Sequence, residues 1–124
     1  MPWWEWLLVG AAGAVGAPLR YLVDTLVSAR GAGEFPFGTM TVNLSGSFAL
    51  GVLTGLVLYH GVGTAPNLVA GTGVLGAYTT FSTFSLETLS LAEAGEVKLA
   101  VRNAVISVFG GTLAAAAGWG LAAL

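Results

Sequence analysis

Apolar residues fill this chain in four long stretches, separated by three short segments where glycine, proline and charge collect. A helix needs ~20 mostly apolar residues to cross a bilayer, and the pattern predicts spans at about residues 3–27, 39–59, 67–91 and 99–121. Residues 28–38, with Gly31, Gly33 and Pro36, read as the first loop. Gly61, Gly63 and Pro66 mark a tight second turn, with Thr64 a candidate cap and Pro66 near the first turn of the third helix. The polar stretch 92–98 is the last connection. The predicted fold class is an all-α membrane protein, with residues 1–124 forming a single domain of four transmembrane helices.

Composition supports that class. Of 124 residues, 56% are hydrophobic and 8% charged, whereas soluble domains run to about a quarter charged. Six acids, four bases and one histidine cannot coat a soluble fold, so the surrounding solvent is expected to be lipid. A formal charge of -2 offers no basic footprint for nucleic acid. With no cysteine, disulfides and thiolate chemistry are excluded. The amino terminus lacks the basic flank of a signal peptide, and its apolar run continues past the usual cleavage point.

An even number of spans puts both termini and the 61–66 turn on one side of the membrane. Trp3, Trp4, Trp6, Tyr59 and Trp119 fall at that side, where amphipathic rings gather at headgroup level. Arg30, Lys98 and Arg102 lie toward the other side, which biases the termini outward, but so few charges allow insertion in either direction. Much of the glycine lies inside the spans. Ser47, Gly51 and Gly55 sit four apart on one face, a seam for close helix packing. No internal repeat is visible, so any inverted symmetry has to come from a second subunit.

Against this apolar background, polar residues inside the spans stand out. Six of the ten residues 79–88 carry hydroxyls. Back-bonding to the preceding turn accounts for one or two in a membrane helix; six, flanked by Gly71, Gly73 and Gly76, predict a break in the third helix at mid-membrane. Freed backbone there is tolerated only inside protein or facing water, and its carbonyls can hold a cation. Phe81 and Phe84 share a helical face; packing is the plain explanation, while positive ring edges facing an anion is the sharper one. Asn43 with Ser47, and Asn103 with Ser107, repeat a one-turn spacing on the second and fourth spans. They are either interhelical glue or a polar track whose donors replace the water of a small ion. Arg20 lies inside the first apolar run with Asp24 one turn on, so it either pairs with Asp24 or concentrates anions at a vestibule mouth. Glu87, Glu93 and Glu96 lie at or beyond the third span's end. His60 has no second histidine or cysteine for a metal site. No nucleophile, base and orienting group occur together, so an enzyme is not expected.

GAVGAPLRY at residues 13–21, FGTMTVNLSGSFALG at 37–51 and GAYTTFSTFSLE at 76–87 together resemble the Fluc, or CrcB, family of fluoride channels, a resemblance spanning all four predicted helices. It implies an antiparallel, dual-topology dimer in the cell membrane, with two fluoride pores and a structural Na+ at the dimer centre. By position Phe81 and Phe84 look like the family's phenylalanine box and Asn43 like its pore-lining asparagine. Ser82, Thr83 and Ser107 are similar to parts of its polar track, with Ser47 and Asn103 on the same faces. Arg20 would line the vestibule, and the backbone carbonyls of Gly76 and Thr79 match those that hold sodium. Two positions depart from the family pattern: Ala77 stands where a second glycine is common, and Asn103 near a place where some relatives carry an aromatic hydroxyl. The resemblance leaves open a homodimer or one half of a heterodimer with a related chain. A proton-coupled small exporter or exchanger is the main rival, but small multidrug exporters use a mid-membrane glutamate in the first helix, and the one glutamate of that helix here is Glu5, at its extreme start. A non-transporting assembly subunit leaves the TTFSTFS run unexplained.

Overall fold

In lipid, backbone N–H and C=O groups find no water, so spanning segments satisfy them internally as helices. The computed structural model describes residues 2–31 and 33–124, and no strand occurs among them. Helices α1 (Trp3–Arg30), α2 (Phe37–His60) and α6 (Val97–Ala122) are each long and apolar enough to cross a membrane. The segment between α2 and α6 is interrupted. It comprises a short α3 (Thr64–Asn67), a π-helical stretch Leu68–Leu75, a single turn α4 (Gly76–Tyr78), two extended residues, and α5 (Phe81–Glu93). Thr79 (φ -82°, ψ 158°) and Thr80 (φ -147°, ψ 120°) are the residues that leave the helix.

The helix ends follow local chemistry. Helix α1 carries three residues further than its apolar run suggests, to Arg30, whose charge sits in the last turn where it complements the helix dipole. Helix α2 starts directly after Pro36, two residues before the predicted boundary, since proline is suited to a helix start. It stops at Gly61, whose φ of +69° is the left-handed conformation that glycine adopts without strain, and whose N–H bonds to Leu56. The third segment begins at Thr64 rather than 67, because Gly63 takes the cap position and Pro66 fits within the first turn. Helix α5 closes on Gly95 (φ +84°), with Glu96 N–H donating to the Leu91 carbonyl at 2.9 Å.

Small residues set the packing. Helices α2 and α6 run side by side and parallel: Gly51 lies on the Ala115 carbonyl, Gly55 on Trp119 and Ala122, and Gly118 on the Phe48 carbonyl. The Ser47, Gly51, Gly55 seam therefore faces α6, with Ser47 beside Gly111. Helix α1 pairs in the same parallel sense with the π-helical stretch and α4, Gly16 resting on the Val74 carbonyl and Gly73 on Ala12. Backbone-to-backbone approach of this kind gains dispersion contacts where lipid offers no hydrophobic drive between helices. At the terminal side, His60 Nε2 lies 2.8 Å from the Ala122 carbonyl and the Tyr59 and Trp119 rings are 6.1 Å apart, tying the ends of α2 and α6. Trp3 and Trp6 are exposed at the start of α1.

A side chain at Gly118 meets the Phe48 carbonyl and, at 2.9 Å, the Val52 nitrogen, whereas one at Gly120 meets nothing. Gly118→Val is therefore expected to lose about 1–3 kcal/mol of stability and Gly120→Ala close to none, read as thermal unfolding in detergent micelles.

Candidate functional site

Two extended residues inside a helical segment leave backbone groups without intrahelical partners, and each costs free energy when buried. Asn43 on α2 meets that demand at Thr80. Its Nδ2 donates to the Thr80 carbonyl and its Oδ1 accepts from the Thr80 N–H, both at 2.8 Å. A side-chain amide carries one acceptor and a two-proton donor, so a single asparagine can satisfy both backbone groups of one residue, with one N–H remaining. Thr80 in turn caps α5: its Oγ1 accepts from the Thr83 N–H at 3.2 Å and donates to Thr83 Oγ1 at 3.1 Å, with Ser82 Oγ at 3.3 Å.

This bonding has a consequence for the carbonyls before the break. In a continuous helix the Gly76 carbonyl accepts from the N–H of residue 80, and Thr79's from residue 83. Here the Thr80 N–H goes to Asn43 and the Thr83 N–H to the Thr80 hydroxyl. Gly76 and Thr79 both line an open cavity of about 280 Å³, shared with Asn43, Ser47, Leu50 and Phe81. Carbonyls released from helical bonding are hard oxygen donors, a chemistry that fits a sodium ion.

A second cavity, of about 150 Å³, lies between α1, α2 and α5. It is lined by Arg20, Tyr21, Asp24, Thr39 and Thr83, and by Thr80, which borders both cavities. Asp24 accepts a hydrogen bond from the Ser28 hydroxyl at 3.2 Å. The nearby Thr39 hydroxyl, 4% exposed, donates to the Glu87 carboxylate at 2.6 Å, joining α2 to α5.

The break thus gathers most of the residues singled out from the sequence: Asn43, Ser47, Gly76, Thr79 and Phe81 around the larger cavity, and Arg20 and Thr83 around the smaller. Phe81 is 80% exposed at the first position of α5; the Phe84 ring lies 5.9 Å from it, tilted by 53°. Asn103 and Ser107 are placed elsewhere. Asn103 is buried between α5 and α6, donating to Thr88 Oγ1 at 2.8 Å and accepting from Ser107 at 3.4 Å. Sequence reasoning passed over Thr39 and counted Thr88 only as one of the six hydroxyls of residues 79–88. The signal for Thr39 is its position one turn before Asn43 and two before Ser47, which extends the polar face of α2 to its first turn. It also missed the contact of Ser45 Oγ with the Tyr78 hydroxyl at 2.9 Å, which fixes the buried ring just before the break.

The family model described as "CrcB-like protein, Camphor Resistance (CrcB)" matches residues 7–119. The chain belongs to the CrcB family. Curated relatives extend the match over nearly the whole length. A protein of Streptomyces avermitilis named "Fluoride-specific ion channel FluC 1" is 48% identical over 114 residues, 92% of each chain. A "Fluoride-specific ion channel FluC 1" of Frankia casuarinae is 48% identical over 126 residues, 95% of each chain. A "Fluoride-specific ion channel FluC 2" of Mycobacterium tuberculosis is 47% identical over 113 residues, 91% of this chain and 86% of that protein. The break, its asparagine and both cavities lie inside the region matched by the CrcB model.

Asn43→Leu keeps the side chain's size but strands the N–H and C=O of Thr80. It is expected to destabilise the fold by about 2–6 kcal/mol, measured by thermal unfolding, and to speed exchange of the Thr80 amide proton in micelles.

Proposed function

We infer that this CrcB-family chain is one subunit of a fluoride-selective channel. The observation that carries the reading is the interrupted helix: a run of hydroxyls and two phenylalanines begins where Asn43 holds the backbone open, at a residue that borders both cavities. The names of the relatives supply the ion. Fluoride is small and tightly hydrated, so a selective path replaces its water with closely spaced donors and no strong trap. The free N–H of Asn43 and the hydroxyls of Ser47, Ser82 and Thr83 are neutral donors of that kind. The edges of Phe81 and Phe84 offer positive ring potential between apolar walls. Arg20 at the smaller cavity raises local anion concentration.

In this reading the chain is a single domain crossing the plasma membrane four times, the interrupted segment being its third crossing. Two copies insert antiparallel and form two pores. A sodium ion at the dimer centre is held by the carbonyls of Gly76 and Thr79 from each subunit. Hydrogen fluoride enters a cell and dissociates inside, so a passive pore suffices to let fluoride leave and confer resistance, and no coupling residue is needed. A heterodimer is the second reading, favoured by the numbered names FluC 1 and FluC 2 among the relatives.

Liposomes containing this chain alone are expected to release fluoride and to retain chloride, as followed with ion-selective electrodes. Phe81→Ile and Phe84→Ile are each expected to cut fluoride efflux roughly tenfold or more, the equivalent of one missing stabilising contact along the path, with the dimer intact by size-exclusion chromatography. Wild-type flux in both variants removes the phenylalanines from the path. Silence from folded wild-type chain, rescued by a related chain, favours the heterodimer, and equal release of both ions removes the fluoride assignment.

A further inference from the structure

Helix α5 carries Phe81 and Phe84 but is poorly held by the rest of the bundle. It packs mainly on α6 and touches α2 little. Between α5 and α6 runs a line of hydrogen bonds pointing in one direction. The Ser107 hydroxyl donates to Asn103 Oδ1 at 3.4 Å, Asn103 Nδ2 donates to Thr88 Oγ1 at 2.8 Å, and Thr88 Oγ1 donates to the Phe84 carbonyl at 2.7 Å. Each link fixes the next. With Ser107 on its oxygen, the Asn103 amide presents its N–H to Thr88. Because Thr88 Oγ1 receives that proton, its own proton is directed to the carbonyl one turn back. Hydroxyl bonds to the i−4 carbonyl bend helices, and this one acts on the peptide of Phe84 itself.

We propose that Asn103 is a positioning residue: through Thr88 it sets the backbone, and hence the ring, of Phe84, and it does not contact the permeating ion. Asn103 is 1% exposed, its amide held between Thr88 and Ser107. Its one remaining N–H is enclosed between helices, whereas an ion-lining donor must be reachable from the path. The face of α6 that Asn103 and Ser107 share is turned toward α5, where Asn103 meets Thr88. The inference rests on the reading of Phe84 as a path residue, but the relay can be tested without flux.

The full-length protein is prepared in micelles with 4-fluorophenylalanine at position 84 or at position 81, and its 19F spectrum recorded. Asn103→Leu and Thr88→Val are each expected to move the Phe84 resonance and leave that of Phe81 in place. The double variant should move it no further than the larger single change, because both residues act through one line of bonds. Thr88→Ser keeps the hydroxyl and is expected to restore the wild-type spectrum. In liposomes each single variant and the double variant should lose about tenfold of fluoride flux, the equivalent of one hydrogen bond. A Phe84 resonance unmoved by Asn103→Leu overturns the proposal. So does loss of flux in Asn103→Leu alongside wild-type flux in Thr88→Val, which would place Asn103 on the ion. If the wild type carries no fluoride yet the resonance moves as described, the channel reading fails and the relay stands.

Discussion

One side chain makes the interrupted helix possible. An extended pair of residues within an apolar bundle exposes peptide groups that lipid cannot satisfy, and the Asn43 amide answers the C=O and N–H of Thr80 with a donor and an acceptor at once. From that pairing follow the other features of the site. The Thr80 hydroxyl is left to start α5, the carbonyls of Gly76 and Thr79 lose their usual partners, and Phe81 at the first position of α5 borders the larger cavity. A residue that looks like an ion ligand in the sequence is first a structural one here, with a single N–H to spare for a ligand.

The bundle around the break is closely packed where glycine allows backbones to touch and more loosely where it does not. Gly51 and Gly118 lock α2 to α6, and Gly16 and Gly73 lock α1 to the segment before the break. Past the break, α5 depends on a few polar links: Asn43 to Thr80, Thr39 to Glu87, and Asn103 to Thr88. An uncompensated polar group inside an apolar bundle is costly, so each of these links is specific about where α5 can sit. Precision at the phenylalanines is thereby supplied by hydrogen bonds in place of tight packing.

Much of this was legible from the residue pattern. The long apolar runs announce α1, α2 and α6 because helix length and hydropathy are properties of single segments. The break is announced by hydroxyls crowded just after Gly71, Gly73 and Gly76, a composition that a continuous apolar helix has no use for. What remained hidden depends on which faces meet. Asn43 with Ser47, and Asn103 with Ser107, have identical spacing, yet Asn43 and Ser47 border the larger cavity while Asn103 is sealed against α5. Spacing fixes a shared face but not its neighbour. The partnership of Thr39 with Glu87 spans 48 positions and has no local signature. Pro66 near a first turn was legible, but the start of the third segment was not, because Gly63 rather than Thr64 takes the cap position.

The central claim is that fluoride passes at the break that Asn43 holds open. Solution NMR of the 15N-labelled chain in micelles tests it most directly, by following backbone amides as sodium fluoride or sodium chloride is added. The account predicts that fluoride shifts the amides of Thr80, Ser82 and Thr83, that chloride at equal concentration leaves them in place, and that amides at the far ends of α1 and α6 respond to neither. Equal shifts with both salts, or fluoride shifts confined to residues away from the break, would contradict it.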